Sequence, residues 1–173
     1  YSNREFDILK SLYKGELQYI DDKIHQIIST LEAAGIREET TIIIVGDHGE
    51  NIGDHNLMDH QYSLHETLLN VPLIINGPRI AADKIDTTVE TRNLYPTILD
   101  HANIELCQEP HEIGQSLFND NRGAYAISEY LAPQPSIKIL AERVGCDINV
   151  VSKFERSLRS IKSDDWKYIE GSD

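Results

Sequence analysis

A short apolar segment that ends abruptly in charged residues is the feature that most constrains the fold of this chain. Residues 41–45 read TIIIV, and GDHGE follows directly at 46–50. A run this short, β-branched and apolar on both faces predicts a strand buried in a sheet, typical of parallel sheets. Polar residues that follow such a strand lie at the edge of an α/β sheet where ligands usually bind. The segment therefore predicts an α/β fold with a functional site just after residue 45.

Other patterns along the chain predict helices that alternate with strands. An apolar stripe at three- and four-residue steps predicts an amphipathic helix that Gly35 ends; its members are Leu17, Ile20, Ile24, Ile27, Ile28, Leu31 and Ala34. Asn93 is expected to cap a helix that runs through Leu99. Further predicted elements are strands at 73–76 and 124–128, a helix at 139–144 and an antiparallel hairpin from 158–161 and 166–169. This order favours a layered sheet of mainly parallel strands flanked by helices, with a small C-terminal antiparallel hairpin.

Composition narrows the class of protein. A length of 173 residues suits one domain, and the net charge of −13 opposes binding to nucleic acid or to an anionic membrane surface. The apolar runs are of strand length, so no membrane span is predicted, and residues 1–10 do not read as a signal peptide. A cytoplasmic location is therefore expected. Cys107 and Cys146 lack metal-ligand spacing and are expected to be buried free thiols, with a disulfide as the alternative.

The segment 47–66 concentrates side chains that bind metal ions. It holds four of the seven histidines, His48, His55, His60 and His65, and five acids, Asp47, Glu50, Asp54, Asp59 and Glu66. Imidazole and carboxylate groups are ligands of first-row metals and of hard cations. The simpler alternative is that Asp47 caps a turn and that His48 is merely exposed.

A connected series of motifs resembles the C-terminal half of a sulfatase, in the alkaline-phosphatase-like superfamily. The series runs through YKGELQYIDDKIHQIISTLEAAG, TIIIVGDHGENIGDH, HQYSLHETLLNVPLII, TRNLYPTILDHA, IGQSLF, AYAISEY and RSIKSDDWKYIEG. The resemblance implies that residues 1–130 are the C-terminal part of the sulfatase-like α/β domain, with the Asp-His metal motif. Residues 131–173 would then form a loop, a helix and the antiparallel hairpin of the same fold.

The resemblance also implies roles for individual residues. Asp47 and His48 match the pair that ligates the divalent cation holding the ester, which is usually Ca²⁺, although a histidine ligand favours Mn²⁺ or Zn²⁺. His60 matches a lysine that contacts the anionic oxygens of the ester, and an imidazole can donate there too; the alternative is a surface histidine. His55 and Glu66 match positions that organise the loop or contact substrate, and Glu50 is expected to hydrogen-bond rather than to ligate the ion. The histidines at 25, 65, 101 and 111 are read as ordinary ones.

Other parts of the family pattern are not found in these residues. The Cys/Ser-x-Pro-x-Arg motif, whose Cys or Ser becomes formylglycine in sulfatases, is absent, as are the upstream Asp-Asp metal pair and the general-acid histidine. The chain is therefore expected to be a portion of a longer hydrolase of sulfate monoesters, inactive without its N-terminal half and prone to self-association. The expected substrate is a small-molecule sulfate or phosphate ester. Alternatives are a phosphate or phosphonate ester hydrolase, a phosphoglycerate-mutase-like relative, and a non-catalytic module that binds a cation or a partner.

Overall fold

A long N-terminal helix opens the computed structural model, which describes residues 2–105, 114–119, 125–131 and 136–172. Helix α1 spans Asn3–Ala33. It begins with a capping box, in which Ser2 accepts from the backbone N–H of Glu5 and the Glu5 carboxylate accepts from the backbone N–H of Ser2. It ends as predicted at Gly35, whose φ of 72° is in the left-handed region. The N–H groups of Gly35 and Ile36 donate to Glu32 O and Leu31 O, which completes a Schellman end.

The two predicted apolar strands are present, but they run in opposite directions. Strand β1 spans Ile42–Val45, and β4 spans Leu73–Asn76. Ile42 pairs with Asn76 and Val45 pairs with Leu73, so the pairing is antiparallel and the prediction of parallel strands is wrong here. A parallel pair needs a crossover that carries the chain back to the start of the first strand, usually through a helix. The connection after β1 instead returns the chain at the end where β1 stopped.

The connection between β1 and β4 contains two very short strands, a 3₁₀ turn at Asp54–Asn56 and one α-helical turn. Strands β2, Asn51–Ile52, and β3, Met58–Asp59, pair antiparallel, and helix α2 spans Glu66–Leu69. This region and α1 belong to a compact unit, Tyr1–Asp83. Among the described residues of this unit, the buried apolar side chains are those of Ile52, Leu64 and Leu68.

In the described part of the second compact unit, Lys84–Asp173, there are three α-helices and a three-stranded antiparallel sheet. Helix α3 spans Leu94–His101, α4 spans Ile137–Val144 and α5 spans Ile148–Val151. Strands β5, Ala126–Tyr130, β6, Leu158–Lys162, and β7, Lys167–Gly171, lie in that order. The predicted hairpin is confirmed as β6–β7, and β5 adds a third strand.

Two local predictions for this unit are corrected. Asn93 does not cap α3 with its side chain; its Oδ1 accepts from the N–H of Glu90 at 2.8 Å, and its Nδ2 donates to Gln115 O at 2.9 Å. Cys146 is a free thiol as expected, but it is exposed rather than buried, while Cys107 lies outside the described residues. In the part of the chain that the structure describes, no helix has the length and hydropathy that a membrane crossing requires.

Candidate functional site

Asp47 and His48 lie directly after β1, where the chain leaves the sheet. The N–H of Gly46 donates to Pro72 O at 3.1 Å, which continues the β1–β4 pairing by one bond before the chain turns away. The Asp47 side chain is 89% exposed, and its Oδ1 accepts from the backbone N–H of His48 at 2.8 Å. This hydrogen bond holds the pKa of Asp47 below its ordinary value. The carboxylate is therefore ionised and open to a ligand.

The geometry of this pair fits a shared cation. His48 Nδ1 is 2.9 Å from Gly49 O, and because a carbonyl only accepts, Nδ1 carries hydrogen and Nε2 is left with a lone pair. That Nε2 lies 3.8 Å from Asp47 Oδ2. Two atoms that are each 2.0–2.6 Å from one ion lie at most about 5 Å apart. The residues present therefore fit a divalent cation.

The β2–β3 pair brings a second group of side chains together. Asn51 faces Asp59 across the pair, so Glu50 and His60, which flank these residues in sequence, are neighbours. His60 Nδ1 lies 2.7 Å from Asp59 Oδ1 and 3.4 Å from Glu50 Oε2. One ligand atom from each of the three residues lies within 4.8 Å of the other two. Glu50 thus lies within hydrogen-bonding distance of His60, and its role as a hydrogen-bonding group rather than a ligand stays a prediction.

A stacked pair of rings joins the two groups. The imidazoles of His48 and His60 have centroids 4.3 Å apart and planes inclined by 23°. The structure therefore brings four of the predicted site residues into one cluster, which consists of Asp47, His48, Glu50 and His60.

The other two predicted site residues have different surroundings. His55 stacks on His65, with ring centroids 3.8 Å apart, and has a left-handed φ of 53°. Glu66 begins α2, and its carbonyl accepts from the N–H of Asn70 at 3.0 Å. Roles of His55 and Glu66 in organising the loop or in contacting substrate stay predictions.

Hydrogen bonds connect residues 49–51 to helix α2. Asn51 is completely buried, and its Oδ1 accepts from Thr67 Oγ1 at 2.6 Å. The N–H of Gly49 donates to Leu68 O at 2.8 Å, and a Cβ on Gly49 would lie only 1.9 Å from Thr67 O. Glycine is therefore required for the backbone to approach α2 this closely. In the described residues, Glu50 Oε1 is buried and has no hydrogen-bond partner.

Asp59 is the residue that the sequence did not single out. Asp59 is one of the five acids of the segment 47–66, but it does not come just after β1 and it matches no functional position of the sulfatase motifs. One signal was available in the sequence. Gly53-Asp54-His55-Asn56 consists of residue types that favour turns, and a turn flanked by two short strands is typical of a hairpin loop. Such a hairpin would have placed Asp59 opposite Asn51.

Comparisons with known proteins show which proteins this chain resembles. The chain is 29% identical to arylsulfatase K of Bos taurus over 174 residues, which cover all of this chain and 31% of the relative. It therefore spans about a third of the length of the curated relatives that it matches.

Solved structures share the fold. A 2-O GAG sulfatase superposes with a TM-score of 0.80 at 18% identity, over 99% of this chain and 35% of the other. The phosphonate monoester hydrolase of Agrobacterium radiobacter gives 0.78 at 19% identity, over 99% and 34%. The sulfatase family model matches residues 9–104, which is more than half of the 173 residues. The chain thus belongs to the sulfatase family, in the alkaline-phosphatase-like superfamily.

Proposed function

We propose that this chain supplies the cation-binding and anion-binding portion of a hydrolase of sulfate monoesters. One observation carries the proposal: Asp47 Oδ2 and His48 Nε2 converge to 3.8 Å at the end of β1, and the His60 ring stacks on His48. The site thus combines an exposed carboxylate, an imidazole lone pair and a second imidazole. Such a set can bind a cation and the anion that the cation attracts.

Each residue has a distinct role in this proposal. Asp47 and His48 hold one divalent cation, which supplies positive charge that stabilises the oxygens of the transferred group. His60 donates a hydrogen bond to an anionic oxygen of the ester. Ca²⁺ suits the carboxylate, whereas the imidazole ligand favours Mn²⁺ or Zn²⁺. The nucleophile, a formylglycine in sulfatases, is proposed to come from the remainder of the parent protein.

Calorimetric titration of the chain with Ca²⁺, Mn²⁺ and Zn²⁺ tests the metal assignment. Wild type should bind at least one of these ions, weakly because only two ligands are supplied, and Asp47→Ala should lose the binding. Asp54→Asn is the control, since Asp54 lies in the same segment and accepts instead from the N–H of Ile52. Equal binding by wild type and Asp47→Ala would rule the assignment out.

The chemistry of the parent also gives an expectation for the isolated chain. Without the covalent step, the 173-residue chain should turn over nitrophenyl sulfate and nitrophenyl phosphate more slowly than an intact enzyme by several orders of magnitude. Turnover by the metal-loaded chain would contradict this, and its loss in Cys146→Ser or Cys107→Ser would identify a nucleophile.

The mainly parallel layered sheet expected of the whole fold is likewise proposed for the parent, with strands from its N-terminal half beside β1 and β4.

A phosphate or phosphonate ester is the second candidate substrate. It is favoured by the structural likeness to a phosphonate monoester hydrolase, because both kinds of ester present tetrahedral anionic oxygens to the same donors. Competition between inorganic sulfate and inorganic phosphate for the metal-loaded chain discriminates the two. A non-catalytic module would bind the cation, but adding the remainder of the parent would give no turnover of either ester.

A further inference from the structure

Two carboxylates and one imidazole converge beside the β2–β3 pair. Asp59 Oδ1 lies 2.7 Å from His60 Nδ1, and Glu50 Oε2 lies 3.4 Å from the same nitrogen. One ligand atom from each residue is within 4.8 Å of the other two. The ligands of a single ion span up to about 5 Å, so the group is compact enough to enclose one. The side chains of His60 and Asp59 are 43% and 58% exposed, which gives an ion access to them.

The negative charges of this group are not offset by other side chains. Among the described residues, the ion pairs of Glu50 and Asp59 are both with His60. A single hydrogen on Nδ1 would serve both carboxylates at once and would leave two negative charges in contact. A divalent cation in the same place would offset both charges and would accept the lone pair of Nδ1.

Buried polar atoms without hydrogen-bond partners adjoin the same group. In the part of the chain that the structure describes, Glu50 Oε1 is buried and accepts no hydrogen bond, which is costly for a carboxylate oxygen. Asn51 lies opposite Asp59 in the β2–β3 pair and is fully buried, and its Nδ2 has no partner among the described residues. A cation can bind the carboxylate of Glu50, and water bound to that cation can accept from an amide beside it.

We infer that Glu50, Asp59 and His60 form a second cation site, which shares no residue with the pair Asp47 and His48 and prefers Zn²⁺ or Mn²⁺ to Ca²⁺. An imidazole ligand favours these transition metals, whereas Ca²⁺ binds through oxygen atoms. Glu50 is a ligand in this site, although the sequence predicted only hydrogen bonding for it.

The second site also has a consequence for the role of His60. A cation on Nδ1 leaves the single hydrogen of the neutral ring on Nε2. That nitrogen can then donate to an anionic oxygen of the ester while the ring stays neutral. This consequence rests on the proposed function, whereas the cation site itself does not.

Calorimetric titration of the full 173-residue chain with Zn²⁺ and with Mn²⁺ tests the site. The tighter binding is expected at Glu50, Asp59 and His60, which supply three ligands, and the weaker binding at Asp47 and His48, which supply two. Outer-shell partners of metal ligands are worth about 10–100-fold in affinity, so loss of a ligand should weaken the tighter binding by at least that factor. Asp59→Asn and Glu50→Gln should each show this effect.

A matched control removes a charge from the same segment. Asp54 accepts from the N–H of Ile52 and is not part of the group, so Asp54→Asn should bind Zn²⁺ as wild type does. Zn²⁺ binding that is unchanged in both Asp59→Asn and Glu50→Gln would overturn the inference, whatever the number of ions bound. An absence of Zn²⁺ binding by the wild-type chain would overturn it as well.

A direct readout of the ligand atom uses the wild-type chain and does not depend on how the variants fold. In protein labelled with ¹⁵N at histidine and loaded with ¹¹³Cd²⁺ in place of Zn²⁺, Nδ1 of His60 should show a one-bond coupling to the metal. His60→Gln assigns the resonance. Coupling at Nε2 of His60, or at no nitrogen of His60, would refute the site.

Asp47→Ala separates the inference from the proposed function. With two sites present, the loss of binding expected in this variant concerns the weaker binding, and the tighter binding should remain. Loss of all binding in Asp47→Ala, with Asp59→Asn as wild type, would support the proposed function and refute the second site. Unchanged weak binding in Asp47→Ala, with the tighter binding lost in Asp59→Asn, would support the second site and count against the proposed function.

Discussion

Helix α1 and the site segment, which is the stretch from Gly46 to Asn70 in the same compact unit, differ in how far they bury their side chains. Helix α1 has 31 residues, all of them described, and none is buried. The segment from Gly46 to Asn70 has two-residue strands and two short helical turns, yet it contains the fully buried Asn51 and the buried Ile52, Leu64 and Leu68. Regular secondary structure therefore does not locate the core of this unit.

The difference shows where each region obtains its stability. Helix α1 depends on its own backbone hydrogen bonds and end caps, and it touches the site segment near its start, where a Cβ on Gly53 would lie 2.9 Å from the ring of Phe6. The site segment depends on close backbone approach and on buried side-chain hydrogen bonds, such as the one from Thr67 to Asn51. A helix with an exposed apolar stripe needs a covering surface, whereas the segment at 46–70 is already packed.

One substitution made at two glycines should give opposite results. Gly49→Ala should destabilise the chain by about 3 kcal/mol, because the new Cβ would meet the backbone oxygen of Thr67 at 1.9 Å. Gly15→Ala in α1, where a Cβ meets nothing within 4 Å, should stabilise it by about 0.5–1 kcal/mol. Urea unfolding monitored by circular dichroism measures both, and the same sign for the two variants would contradict the comparison.

Self-association should depend on α1 and the sheet edges rather than on the site. In the described residues β1 and β4 form a two-stranded sheet, so each has an unpaired edge, and Ile20 and Ile27 of α1 are 51% and 59% exposed. We expect the isolated chain to form dimers or larger species at high salt, where the net charge of −13 is screened.

Light scattering across a salt series measures this association. The double variant Ile20→Gln and Ile27→Gln should associate less than wild type, whereas Asp47→Ala in the site should behave as wild type does. A wild-type monomer at high salt and high concentration would show that the exposed surfaces need no cover.

The hydrogen bond between Thr67 and Asn51 should contribute measurably to the stability of the site segment. Thr67→Val leaves the buried Asn51 Oδ1 without a donor and should cost about 1–3 kcal/mol. The double variant Thr67→Val and Asn51→Leu should cost less than the sum of the single variants, because the unsatisfied acceptor is removed as well. Additive effects would show that the two residues act independently.

The smallest expected effect is a loss of helix at the start of α1 as the pH falls. The backbone N–H and hydroxyl of Ser2 donate to Glu5, which holds the pKa of Glu5 below its ordinary value of 4.5. A lowered folded-state pKa adds stability above pH 4.5 that is lost as the pH falls through the folded-state value. Glu5→Gln should therefore reduce the acid-induced loss of helix seen by circular dichroism, and Glu16→Gln is the control. Equal reductions in both variants would exclude the capping box as the cause.

Several elements could be predicted from the sequence because their signals are local. The stripe from Leu17 to Ala34 and the stop at Gly35 predict most of α1, and β1 and β4 follow from short apolar runs rich in isoleucine. The β6–β7 hairpin follows from two short segments separated by the turn residues at 163–165. The start of α1 at Asn3 was not predicted, although Ser2 and Glu5 have the spacing of a capping box. Asp47 and His48 could be singled out because they come just after a strand, and their role as ligands stays a prediction.

Other features depend on which strands pair, which no local pattern determines. The antiparallel pairing of β1 with β4, and of β5 with β6, joins residues far apart in sequence. Asp59 and His60 lie beside Glu50 because β2 and β3 pair; two-residue strands have too little periodicity to be recognised, and only the turn sequence at 53–56 indicates the hairpin. The exposure of Cys146 likewise depends on packing around a short helix rather than on its residue type.

The stack of His48 on His60 gives this chain an internal NMR probe of the distance between the two rings. Each aromatic ring generates a local field that displaces the proton resonances of a ring 4.3 Å away, and this displacement falls steeply with separation. The carbon-bound protons of His48 and His60 should therefore resonate away from those of an isolated imidazole. Any motion that parts the end of β1 from the β2–β3 turn would become visible as a change in these two signals, without labels or added ligands.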